Sequence, residues 1–140
     1  MSAARRSSPQ TSPSDLELQI LSVLWRSGPS TAREVLEALP DGKSRAYTTV
    51  LSIMQVMQKK GLLDVSDHRG LAHVYRPLGS RRQVLGPVMR GMLKKLFGGS
   101  PSAAVEHLLD VAAVSQEELD AIVRLVNQAA AQRKGKRGQQ

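Results

Sequence analysis

The stretch KSRAYTTVLSIMQVMQKKGLL, residues 43–63, holds the side chains best suited to recognition chemistry. On a helix advancing about 100° per residue from Val50, Tyr47, Ile53, Met54 and Met57 fall within roughly 60° of it and form an apolar stripe. Arg45, Thr48, Ser52, Gln55 and Lys59 gather at the opposite pole; none is acidic and several can donate hydrogen bonds. Such a face, about 20 Å long, suits a DNA major groove roughly 12 Å wide. The N-terminal end would offer Arg45, Tyr47, Thr48, Thr49 and Ser52 to base edges and phosphates, with Lys43 and Ser44 just ahead of the helix. Lys59 and Lys60 fall beyond the groove, where they complement the C-terminal end of the helix dipole.

Other site chemistries find no residues to carry them. The chain has no cysteine, which removes disulfides, thiolate metal sites and thiol nucleophiles. His68, His73 and His107 lack the spacing of metal ligands on one element, and Met54, Met57, Met89 and Met92 read as core filler. No phosphate-binding glycine loop, nucleophile elbow or metalloprotease helix motif is present. The expectation is a binding protein with no cofactor and no enzymatic activity.

The elements that must hold this face are announced by helix caps. Ser/Thr-x-x-Glu/Gln boxes occur at Ser14 with Glu17, Thr31 with Glu34, Ser80 with Gln83 and Ser115 with Glu118. They predict a first helix over 15–27, ended by Gly28-Pro29, and a second over 32–39. With the helix that carries the recognition face, these form a tri-helical core of helix-turn-helix type. Leu16, Ile20, Leu21, Leu24, Trp25, Val35, Leu36 and Leu39 should fill it. After Gly61 the period changes. LLDVS (62–66) and AHVYRPL (72–78) predict two strands around a turn at Asp67-His68-Arg69-Gly70, with Arg69 at the tip of a β-hairpin wing.

The remainder reads as helix. Residues 81–97 place Val84, Leu85, Val88, Met89, Met92 and Leu96 on one stripe, which Pro87 should kink or divide. Gly98-Gly99 ends it, Ser100-Pro101 opens a helix containing Leu108 and Leu109, and Ser115 opens a last one with Leu119, Ile122, Val123 and Val126 on one face. Helices attached to an already complete wing domain must bury these stripes elsewhere, and a second copy is the natural place. The fold class is therefore mostly α with a small hairpin wing. The predicted organisation is a disordered basic arm (1–13), a winged helix domain (14–79), a helical dimerisation region (80–132) and a frayed basic tail (133–140).

Composition agrees. Aromatic residues make up 3% of the 140-residue chain, so Leu, Val, Ile, Met and Ala must build the core. The net charge of +8 is uneven, with +3 over 41–60, +5 over 79–97 and +4 over 133–140, against −4 over 98–132. This pattern suits a polyanionic partner. No apolar run approaches the ~20 residues of a membrane span, and the Ser/Pro-rich start lacks a signal-peptide core. A soluble cytoplasmic protein without membrane insertion is expected.

The segments AYTTVLSIMQVMQKKGLL, ELQILSVLW, HVYRPL and AVSQEELDAI resemble the penicillinase-repressor family, the BlaI/MecI/CopY group of transcriptional regulators, over about residues 14–128. The resemblance implies a homodimeric repressor on a palindromic operator, with entwined C-terminal helices and release by a membrane sensor protease, acting indirectly, or by a metal signal. The sequence departs from the group in three places. Relatives released by proteolysis are cut at an Asn-Phe bond, where this chain has VEHLL, residues 105–109. The cysteine-rich metal site of copper-responsive relatives is missing, and Leu51 and Val56 stand where relatives often have polar or basic residues. Two other functions fit the same fold: induction by a small molecule bound between domains, and a winged helix used for protein contacts without DNA.

Overall fold

In the computed structural model, residues 13–138 are described; the N-terminal arm up to residue 12 and the last two residues lie outside them. The order of elements is α1 (Asp15–Ser27), β1 (Ser30–Thr31), α2 (Ala32–Ala38), a 3₁₀ turn (Gly42–Ser44), α3 (Tyr47–Lys59), β2 (Leu63–Arg69), β3 (Ala72–Pro77), α4 (Arg81–Phe97), α5 (Pro101–Val111) and α6 (Gln116–Gly138). The chain falls into two compact units, one ending at Met92 and the other beginning at Leu93, so the division lies inside α4.

The first unit is a winged helix-turn-helix. Its α1 begins where Ser14 Oγ accepts the Glu17 N–H at 3.2 Å while Glu17 Oε1 accepts the Ser14 N–H at 2.9 Å. The same reciprocal box opens α2 at Thr31 and Glu34. Ile20, Leu21, Val23, Leu24, Val35, Leu36, Leu39, Val50, Met54 and Met57 are buried in one cluster, with Leu16, Trp25, Tyr47 and Ile53 packed at its margin. Aliphatic and Met side chains at helical spacing therefore fill the tri-helical centre, as the periodicity requires.

The wing differs from its sequence reading in two respects. The ladder between β2 and β3 runs from Leu63↔Pro77 to Arg69↔Ala72, with a bulge between Val65 and Asp67. The turn is therefore at Gly70-Leu71, where Gly70 adopts φ 62°, and not at Asp67 to Gly70. The sheet also has a third strand, since Ser30 and Thr31 pair with Tyr75 and Val74 to give the order β1-β3-β2. Tyr75 and Leu63 are buried in the helical cluster, which fixes the sheet to the helices. Beyond the wing, the Trp25 indole N–H donates to the Gly79 carbonyl at 3.0 Å and the Arg81 guanidinium stacks 5.7 Å from the Trp25 ring. Val84 packs against the same core.

Pro87 does not divide α4, which runs unbroken from Arg81 to Phe97. In the second unit Ser100 caps α5 with Pro101 in its first turn, and Ser115 Oγ accepts the Glu118 N–H at 3.1 Å at the start of α6. The last helix continues to Gly138, past the point at which the basic tail was expected to fray. Leu96, Val105, Leu108, Leu109, Val123 and Val126 are exposed here.

Candidate nucleic-acid interface

Val50, Met54 and Met57 are fully buried and anchor α3 along one side. That leaves Thr48, Thr49, Ser52, Gln55 and Lys59 exposed on the other. The start of this helix is distinctive. Among the described residues, each of the other five α-helices begins at a Ser or Thr whose hydroxyl accepts a first-turn N–H, at Ser14, Thr31, Ser80, Ser100 and Ser115. The N-cap of α3 is Ala46, which has no side-chain acceptor. Of its first-turn N–H groups, that of Thr49 donates to the Ala46 carbonyl at 3.1 Å, which leaves those of Tyr47 and Thr48 for solvent or an anion, next to a face without acids. The missing cap is legible in the sequence as a helix start with no Ser/Thr-x-x-Glu box.

The predicted cations are placed less simply. Arg45 lies outside α3, as the residue that closes the 3₁₀ turn in an extended conformation, so helical spacing does not set its direction. Its Nη2 donates to Asp41 Oδ2 at 2.8 Å. The Arg45 hydrogen bond holds the Asp41 carboxyl below its ordinary range, and the same contact raises Arg45. Arg45 Nε and Asp41 Oδ1 are buried with no hydrogen-bond partner. Lys43 and Ser44 sit exposed in the turn, where Ser44 Oγ donates to the Asp41 carbonyl at 2.8 Å. Tyr47 is half-buried against the core, and the Arg33 guanidinium lies 4.4 Å above its ring. Sequence reading does not single out Arg33, which is exposed beside the first residue of α3.

Arg69 is not at the tip of the wing. It closes β2, and its Nη1 pairs with Glu34 Oε2. The Glu34 carboxyl is held low first by the Thr31 backbone N–H and then by Arg69. One carboxylate therefore caps α2 and tethers the wing. The tip instead presents Leu71, fully exposed, with the rings of His68 and His73 stacked edge-on at 4.8 Å below it. A shallow cleft of about 170 Å³ between α3 and β3 is lined by Tyr47, Leu51, Gln55, Leu71, His73 and Tyr75, among others.

Lys60 is also occupied. Its Nζ donates to Glu17 Oε2 at 2.9 Å, which ties the C-terminal end of α3 to the start of α1. Among the described residues no group of three or more His, Asp or Glu could hold a metal, and no helix is long and apolar enough to cross a membrane. The face gathered here can donate hydrogen bonds and attract phosphate.

The family model described as penicillinase repressor matches residues 13–128. The chain belongs to the penicillinase repressor family. The "Transcriptional regulator BlaI" of Mycobacterium tuberculosis, in two strains, is 37% identical over 113 residues, 79% of each chain. The "Penicillinase repressor" of Bacillus licheniformis is 22% identical over 115 residues, 82% of this chain and 89% of that one. Family and relatives are transcriptional regulators, not enzymes. A MarR family protein from Bacillus stearothermophilus aligns with a TM-score of 0.49 at 12% identity, over 95% of this chain and 84% of that one.

Proposed function

We propose that this repressor-family chain works as a homodimer that silences transcription by occupying a palindromic operator in double-stranded DNA. In this reading Thr48, Thr49 and Ser52 of α3 meet base edges, and Arg45 leaves Asp41 to join them. Lys43, Ser44 and Tyr47 flank them at the phosphates, and Arg69 serves the wing through the backbone it positions. The observation that carries the reading is the start of α3, without a side-chain cap and free of acids, while every other described α-helix is capped.

The dimer would form through the C-terminal helices, using Leu85, Val88, Met89, Met92, Leu96, Leu108, Leu109, Leu119, Ile122, Val123 and Val126; Val84 is already largely committed to the first unit. Burying such surface at ~25 cal/mol per Å² supplies the driving force. Two α3 helices held about one DNA turn (~34 Å) apart, or a multiple of it, would read symmetric half-sites. Release would follow an upstream signal. The sequence contains no Asn-Phe bond, and VEHLL forms part of the continuous helix α5, so cleavage at such a bond does not serve as that signal.

The test is selection of bound duplexes from a random pool, followed by footprinting. A palindrome protected on both half-sites is expected, and Arg45→Ala should weaken binding to it by roughly ten- to a hundred-fold. Recovery of no shared sequence would reject operator recognition.

A further inference from the structure

We propose that the last three turns of α6, residues 127–138, are a second DNA-binding element that grips phosphates flanking the operator without reading sequence. The inference rests on the repressor reading above and extends it to a surface which that reading does not use.

The helix spans 23 residues, roughly 34 Å, and its character changes after Val126. From Asn127 onward no apolar side chain is larger than alanine, and the described side chains of residues 127–138 are all exposed. This portion adds nothing to an apolar dimer stripe, so packing gives it no role. The charge reverses at the same place. Glu117, Glu118 and Asp120 open the helix, whereas Arg133, Lys134, Lys136 and Arg137 fall within five residues near its end, and residues 127–140 contain no acid. Cations at a helix C-terminus complement the dipole, but that effect is confined to the last turn and is met by one or two of them. None of the four ion pairs among the described residues engages Arg133, Lys134 or Lys136. The family match stops at residue 128, ahead of these basic residues.

The chemistry selects the partner. A protein surface would be met with aromatic or aliphatic anchors at the centre of the contact, and these turns have none. An interfacial membrane helix would need a Leu, Phe or Trp face opposite its cations, and that is also missing. Long cationic side chains on an otherwise polar helix fit a phosphate backbone, where affinity comes from counterion release.

The experiment compares the full chain with a variant carrying Arg133→Gln, Lys134→Gln, Lys136→Gln and Arg137→Gln, which keeps length and helix propensity. Each is titrated by fluorescence anisotropy against the selected operator in two duplexes, one trimmed to the footprint and one extended by about 15 bp on each side, at about 50 to 200 mM salt. The full chain should bind the extended duplex about five-fold or more tighter than the trimmed one, with a log–log salt slope steeper by ~0.9 per added phosphate contact. The variant should lose both differences, bind the trimmed duplex as the full chain does, and sediment as the same oligomer. Equal preference for the extended duplex and equal slopes in the two proteins would overturn the inference while leaving operator recognition intact. A full chain that binds neither duplex would overturn both.

Discussion

Replacing Lys60 by methionine tests how the recognition helix is held. Lys60 Nζ reaches the Glu17 carboxylate at 2.9 Å, with the Glu17 side chain 5% exposed and that of Lys60 49% exposed. Burial pushes the Glu17 carboxyl up, but the Lys60 hydrogen bond, the Ser14 N–H and the Lys60 charge together hold it below its ordinary value of 4.5. Removing one partner of a fully buried pair costs ~3–5 kcal/mol. Solvent reaches half of Lys60, which reduces the expected loss to about 1–2 kcal/mol at pH 7. The sign follows from linkage. A lowered carboxyl contributes stability that is present above its unfolded value and is lost as pH falls through the folded one. In Lys60→Met the folded carboxyl moves up, so the gap from the natural protein should be widest at neutral pH and close as pH drops through the acid range. Urea unfolding at pH 7 and at about pH 3.5 reads this directly, with Glu17→Gln as the background that keeps the cap and removes the charge. A penalty that stays constant across both pH values, or that is just as large in the Glu17→Gln background, would refute the pairing as the origin of the effect.

Three further perturbations follow from the same geometry. Ala46→Asp should cap α3, raising stability by about 1 kcal/mol in urea unfolding while weakening operator binding about ten-fold or more, because the carboxylate occupies the free N–H groups and repels phosphate. A Cβ at Gly42 would collide with the Leu36 carbonyl, so Gly42→Ala should shift the turn that positions Arg45 and lower stability by about 2–3 kcal/mol, seen as a lower urea midpoint. Val123 is exposed in the isolated chain, and Val123→Asp should yield monomers in sedimentation together with loss of operator binding; a variant that stays dimeric would remove α6 from the interface.

Much of the scaffold was legible because its signals are local and redundant. The boxes at Ser14 and Thr31 fix two helix starts with single hydrogen bonds each way, and Val50, Met54 and Met57 lie on one face under any helical spacing. What escaped depends on contacts distant in sequence. A two-residue strand such as Ser30–Thr31 has no periodicity to read and exists only because β3 lies beside it. Asp67-His68-Arg69-Gly70 has turn composition, yet the pairing of His68 with His73 carries the ladder through it to Gly70. Arg45 sits at a plausible helical position, but the Gly42–Ser44 turn delays the helix to Tyr47 and hands Arg45 to Asp41. At the other end, the charge of residues 133–140 suggests a frayed tail, whereas the Ala, Gln, Arg and Lys residues leading into it are strong helix formers that carry α6 onward despite Gly135.

The double duty of Ser30 and Thr31 has a consequence for engineering. Thr31 is the residue that caps α2 and also the one that stands opposite Val74 in the pairing of β1 with β3, so the hairpin has no seam where it could be cut from the helices. A chimera that takes residues 63–77 from a relative while keeping the native 30–34 would join mismatched edges. Transplants that carry both segments should preserve the fold, and amides of β3 should exchange with solvent at the pace of the helical centre instead of that of a free flap.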